Sequence, residues 1–535
     1  MILASILVFS FLLRAYGAFY ALPYAFGVDE EYVMNPVLCQ FFTRFDLDPH
    51  WYGAPSSFEM YTIAIVVAML LALTAAFQLL SGRISSVPDF IHLVRHDDRL
   101  QEFLFGASIG AGRILIIVFA VLTIYAVYRI AKDIEGEKAG WLAALILSLS
   151  PLHCDHSRII RPDIPSAFLI TFSTLFLMKS VRNGVATRAL RLSALLAGMS
   201  MSAKWTSGIS LLPVLTVAAA RDLKALPHDL KELISTATVQ TALFFLAGFF
   251  IFAPFAVLNF PQAYAGLMSE TLRNHLNAES GLYLDNLWWN IRAGLIDGSG
   301  GVLFFAFACI GFVSTVRNKR PDVRVLALFP AMYLLIMSDA EFRWNHWMIP
   351  LLPIEAVFSA SGVMGTASFL RERFSPQRAR WGSLLLLAVI SVNLTWVAKE
   401  RIEIAVETSR GGPAMAAKTW IEANLPPGSG VAYEFYGPPL KARPRADLRL
   451  YDREWSKVIS WPVSKYRKEG VQYLVINTYF KDEFYRKPDR CWWQIGRYEE
   501  IEREADKVQS FPEIGSSKPA IEVYKIRPSS VSNLI

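Results

Sequence analysis

The chain has 535 residues, 53% hydrophobic and 19% charged, with a net charge of +7. A soluble protein of this length carries more charge, and the long apolar runs identify a polytopic membrane protein. The basic excess lies in short loops between those runs, where it sets membrane orientation; no Lys/Arg-rich run interleaved with aromatics marks a nucleic-acid surface.

The first apolar run, residues 1–26, has no basic start and no clear small-x-small cleavage site, so it reads as a retained span. Arg14 lies inside it and is expected to pair with an acid in the bundle. The run ends in Asp29, Glu30 and Glu31. In 31–45, Val33, Val37, Leu38, Phe41, Phe42 and Phe45 recur at roughly helical spacing, which predicts an interfacial helix lying on the membrane. In "LDPHWYGAPSSFEMY" (47–61), Pro49 and Pro55 force turns, and Ser56 with Glu59 reads as a capping box opening the next helix.

Further apolar runs lie near 58–81, 106–129, 139–152, 164–180, 190–203, 205–220, 236–258, 300–316, 324–338, 345–367 and 381–398. The loops 129–138, 181–191, 221–231, 316–324 and 371–380 are basic and are assigned to the cytoplasm. The alternate segments, 27–57, 153–163, Lys204, 259–299 and 339–346, then face the other side. This alternation fails only if 58–81 is an ordinary crossing after a first span that starts inside. Either 58–81 lies along or dips into the outer leaflet, or the N-terminus is outside and 27–57 is cytoplasmic. The first is preferred, because 27–57 is acidic with a single arginine. The expected architecture is about eleven spans in a domain covering 1–398, with the N-terminus inside and 27–105 forming a first outer loop of membrane-parallel helices. Lys204 is expected at the outer tip of a short hairpin.

From 399 to 535 charge becomes frequent and no span remains, which predicts a small extracytoplasmic α/β or α+β domain. "AMAAKTWIEANLPPGS" reads as a helix stopped by Pro426 and Pro427, and "GVAYEF", "DLRLYD", "VQYLVIN" and "IEVYKI" read as strands.

Charges at span ends mark sites by default. On the outer face the first loop supplies Asp29, Glu30 and Glu31. The second supplies His153, Asp155, His156, Arg158, Arg161 and Asp163. Lys204 lies at the hairpin tip, and "EFRWNHW" adds Glu341, Arg343 and His346. Carboxylates remove a proton from a hydroxyl; Arg, Lys and His hold a phosphate and stabilise it as it leaves. Together they suit transfer of a group from a lipid phosphate to a hydroxyl or amine. "HCDH" makes His153, Asp155 and His156 candidates for a metal, against a reading as polar surface. Among the four cysteines, Cys39, Cys154, Cys309 and Cys491, there is no CxxC and no zinc-ribbon spacing.

The chain resembles the C-type membrane glycosyltransferases. Within them it is similar to the branch of protein O-mannosyltransferases and lipid A aminoarabinose transferases. The resemblance rests on "VDEEY", "LDPHWYGAPSSFEMY", the stretch from "GRILIIVF" to "HCDHSRIIRPD", "SAKWTSG" and "FRWNHWMIPLLP". It implies a polyprenyl-phosphate sugar donor, an inverting transfer and an extracytoplasmic site. By resemblance Asp29 is the catalytic base and Glu30 the next acid of the pair, orienting acceptor or donor. Asp163 matches the second-loop acid, and Arg158, Arg161, Lys204, Arg343 and His346 are candidates for donor phosphate or acceptor binding. Glu31 is expected to be a solvated edge. A divalent metal is left open, since cationic side chains suffice for the phosphate. The late loop 259–299 is too short for the lectin-like domain of eukaryotic protein O-mannosyltransferases. The implied partners are the donor lipid, membrane lipids and a glycan, lipid or protein acceptor, at a bacterial inner (plasma) membrane. A transporter or flippase of a lipid-linked sugar is the alternative; it should show related halves and polar groups at the midplane.

Overall fold

The structure, a computed structural model, describes residues 1–23, 29–53, 56–185, 187–223, 236–272, 281–340, 343–441, 445–453, 457–486, 488–515 and 518–528. Pro55, Glu341 and most of the loop 221–231 lie outside the described residues. Two compact units emerge, one within 1–18 and 29–402, the other within 403–535 together with 19–23.

The first unit is helical. Its principal helices are Ile2–Ala15, Ser57–Leu80, Asp98–Glu135, Glu137–Leu149, Asp163–Arg182, Thr187–Ala203, Leu211–Asp222, Ala237–Phe252, Val302–Arg317, Leu328–Met337, Leu352–Arg373 and Pro376–Ser409. Each falls on an apolar run. Among the described residues, five helices are long and apolar enough to cross a membrane, and six if the pair Tyr283–Ser299 and Val302–Arg317, bent by 109°, makes one span. The helix Asp98–Glu135 starts eight residues ahead of its apolar run. Its start is set by a cap: the Asp97 carboxylate accepts from the N–H groups of Arg99 and Leu100.

The segment after Asp29 is helical as expected, as Glu30–Asn35 followed by a π-helical stretch Pro36–Arg44; Val33, Val37 and Phe41 are buried and Phe45 is exposed. The capping box at Ser56 does not form. Ser56 has a left-handed backbone (φ 45) and its side chain makes no capping bond. Instead the Ser56 N–H donates to the Ala203 carbonyl (3.1 Å) and the Ser57 hydroxyl to the Ser202 carbonyl (3.0 Å). The tertiary contact displaces the local one, and the helix Ser57–Leu80 begins against the turn that carries Lys204. At Lys204 the backbone is extended (φ −149, ψ 129), which separates the two helices on either side.

Two helix pairs meet backbone to backbone through reciprocal glycines. A Cβ on Gly198 would fall on the Phe245 carbonyl, and one on Gly248 on the Leu195 carbonyl. Gly311 and Gly362 stand in the same relation to the Phe358 and Phe307 carbonyls. Helices in lipid gain stability from such close approach, because hydrophobic burial no longer drives their association.

The second unit carries a five-stranded sheet: β1 (Gly430–Tyr433), β2 (Arg449–Asp452), β3 (Tyr473–Asn477), β4 (Ala505–Phe511) and β5 (Ile521–Ile526), in the order β2-β1-β3-β5-β4. β2, β1 and β3 are parallel; β5 is antiparallel to both β3 and β4. The four expected strands and the helix Gly412–Asn424 are present. β4 escaped the pattern because it is an edge strand whose side chains are mostly exposed and polar. One sheet face packs on Gly412–Asn424 through Ala417 and Ile421, the other on Trp492–Glu504 through Tyr498 and Ile501.

Candidate active site

Asp29 opens the short helix Glu30–Asn35 with a left-handed backbone (φ 65), and its side chain stays 37% exposed. The next residue is turned inward. Glu30 is fully buried and holds Arg113 in a two-pronged pair, accepting from Nε at 2.8 Å and from Nη2 at 2.7 Å. It also accepts the Ile160 N–H at 2.9 Å, while Arg113 Nη1 donates to the Ala18 carbonyl at 2.9 Å. Glu30 thereby ties the first loop, the helix Asp98–Glu135 and the second loop together, and leaves Asp29 as the exposed acid of the pair. Glu31 is partly buried.

Asp29 and three further charged groups form a row. Arg161 Nη2 lies 3.1 Å from the Asp29 carboxylate and Arg161 Nε 3.5 Å from Asp163. Lys204 Nζ donates to Asp163 at 2.5 Å. Arg161 also reaches His346 Nε2 at 3.0 Å, and the His346 ring stacks on His156 at 5.4 Å. Acids and bases alternate along this row, so each charge is offset by its neighbour in a largely buried setting. Asp163 sits in the first turn of the helix Asp163–Arg182, where a negative charge meets the positive end of the helix dipole. Burial lowers the pKa of Lys204, and Asp163 opposes that shift. Burial and then Arg161 push His156 down to about 4, so the imidazole is neutral at ordinary pH.

The remaining candidates lie elsewhere. Arg158 is buried, donating to the Leu13 carbonyl (3.0 Å) and to Asp155 (3.3 Å). Asp155 also takes Arg401 Nη1 at 3.2 Å. His153 Nδ1 faces Arg14 at 3.1 Å; Arg14 binds Ser10 and the Ser148 carbonyl as well, so its partners are not the acid expected. Arg343 contacts Asn286 at 3.4 Å and lies 5.4 Å from the Trp289 ring centre. The three candidate metal ligands of "HCDH" thus face three different partners, and no group of three or more His, Cys, Asp or Glu among the described residues is placed to hold a metal ion. Asp29 and Asp163 are turned to Arg161 and Lys204, so this donor set does not fit a divalent cation.

Sequence reading passed over Arg113 and Arg401. Arg113 had a signal: a charge inside the apolar run "GRILIIVF" needs a buried partner. That its partner is Glu30, 83 residues away, had none.

Residues 99–257 match the model of a family described as dolichyl-phosphate-mannose-protein mannosyltransferase. The crystal structure of ArnT from Cupriavidus metallidurans in the apo state is similar at 14% identity and a TM-score of 0.51, covering 98% of this chain and 97% of that one. The Archaeoglobus fulgidus oligosaccharyltransferase in its apo form is similar at 13% identity and a TM-score of 0.51, covering 89% of this chain and 69% of that one. At these identities the likeness is one of fold. No curated protein matches the chain by sequence.

Proposed function

We infer that this chain, a membrane glycosyltransferase of the C-type fold that uses a polyprenyl-phosphate sugar, transfers the sugar with inversion to an acceptor hydroxyl or amine at the extracytoplasmic face. The observation that carries the reading is the row Asp29–Arg161–Asp163–Lys204, an exposed acid joined to two cations through ion pairs. Asp29 takes the acceptor proton as the acceptor atom attacks the anomeric carbon. A new bond forms from acceptor to carbon, and the bond from carbon to phosphate oxygen breaks on the opposite side. The electron pair stays on the phosphate, which gains one negative charge. Arg161 and Lys204 lie where that charge is stabilised. Asp163 holds both cations in place, and Glu30 positions Asp29 through the backbone they share. The alternation of basic loops supports the outer placement of this site and about eleven spans; a bacterial inner membrane is the location that goes with the resemblance to the aminoarabinose transferases.

The test is transfer by the purified protein in lipid nanodiscs, supplied with a polyprenyl-phosphate sugar and candidate glycan, lipid and protein acceptors. Asp29→Asn is expected to lower kcat by roughly 10²–10⁴-fold with an unchanged melting temperature. Undiminished transfer by that variant overturns the assignment of the base. Lipid movement across the bilayer without transfer would favour a flippase instead.

A further inference from the structure

In the second unit β1 is the central strand of the parallel trio. The chain leaves it for β2 on one side and returns to β3 on the other. The connections after β1 and β3 therefore diverge, and in such sheets ligands bind in the crevice at the carboxyl ends of the strands. Here that edge is a built one. Glu434, fully buried just after β1, accepts the N–H of Val458 at 3.0 Å and of Asn477 at 2.8 Å. One side chain thus pins together the chain that follows all three strands.

Above it stands a corner of two tyrosines. The Tyr436 ring stacks on Phe480 (5.9 Å between centres, 14° between planes) and meets Tyr479 nearly at right angles (5.9 Å, 89°). Phe435 backs Tyr436 at 4.4 Å, and Tyr479 is exposed. Cations gather on the same edge: Lys457 lies 4.7 Å from the Phe480 ring centre, Arg453 lies 4.0 Å from that of Trp461, and Lys441 pairs with Asp452. Tyr436 (φ 60) and Lys457 (φ 61) hold left-handed backbones in the two connecting loops, a conformation that persists only where the surroundings impose it.

A pyranose ring has an apolar C–H face and a rim of hydroxyls. It calls for a flat aromatic wall with polar groups at its edge, which a tyrosine corner supplies. On this edge Lys441 is paired with Asp452 and Glu434 is buried, so Arg453 and Lys457 are the charges that favour a sugar bearing a carboxylate or phosphate. We propose that the carboxyl edge of the C-terminal sheet is a binding site for an anionic saccharide. That the saccharide is the acceptor rests on the glycosyltransferase reading; the site itself does not.

The experiment is calorimetric titration of the full-length protein in nanodiscs with an oligogalacturonate, a neutral malto-oligosaccharide and inorganic phosphate. The oligogalacturonate is expected to bind at least about tenfold more tightly than the neutral sugar. Tyr436→Ala and Tyr479→Ala should weaken it about tenfold; Tyr479 is exposed, so its loss leaves the fold intact. Lys457→Met should remove the preference for the anionic sugar. Asp29→Asn should bind the saccharide like the wild type, so a failed transfer assay and a failed saccharide site are separate results. Absent oligogalacturonate binding, binding unchanged by Tyr479→Ala, or full displacement by inorganic phosphate each overturn the proposal.

Discussion

Adjacent acids have opposite fates here. Asp29 and Glu30 are neighbours in the chain, yet one side chain is partly exposed and the other is sealed against Arg113. Breaking a buried pair by removing one partner leaves a charge uncompensated, at a cost of about 3–5 kcal/mol. Glu30→Gln is therefore expected to lower the melting temperature markedly and to lose transfer through instability, whereas Asp29→Asn loses transfer alone. Thermal unfolding of both variants in detergent separates the two roles; equal melting of Glu30→Gln and wild type would refute the positioning role. In the second unit, burial pushes the Glu434 carboxyl up from 4.5 to about 7, with the bonds from Val458 and Asn477 opposing. The folded state then binds more protons than the unfolded state in between. Its contribution is complete below about pH 4.5 and is lost as pH rises through about 7, on the order of 3 kcal/mol. Hydrogen-exchange protection at the Val458 and Asn477 amides should fall across that window in the wild type and stay level in Glu434→Gln.

Among the elements, the reciprocal glycines decide how closely two helix pairs approach. Gly198 and Gly248 each face a carbonyl of the partner helix, as do Gly311 and Gly362. A methyl group there meets backbone, which cannot rotate away, so the helices must separate. Gly198→Ala and Gly311→Ala should each destabilise by about 1–3 kcal/mol. Gly365→Ala, with open space around its Cβ, should be near neutral and is the control. Melting curves of the three variants test this; equal loss at Gly365 would mean that close backbone contact does not set the cost, since helix propensity by itself favours alanine over glycine. The helices themselves were legible from apolar runs. The strand β4 was not, because an exposed edge strand carries no apolar alternation. The capping box was misread for a related reason: Ser56 and Glu59 have the right spacing, but the Ser56 N–H donates to the Ala203 carbonyl instead.

For the molecule as a whole, the basic loops predict the side on which each end lies. A phosphatase reporter fused after residue 535 should be active only if it is carried outward; a cytoplasmic signal would overturn the proposed orientation. This outcome is independent of the catalytic test, since it reads topology alone. The sequence by itself determined the membrane class, the positions of the long helices, four of five strands and the residue types able to move a proton and hold a phosphate. These properties live in local periodicity and in charges that stand out against apolar runs. Only the tertiary structure decided which acid is buried, that Arg161 joins Asp29 to Asp163 while Arg158 and Arg343 stand apart, and in what order the strands assemble. The physical reason is that burial and pairing depend on contacts between residues far apart in the chain, as with Glu30 and Arg113, and such contacts leave no mark on the local pattern at either end.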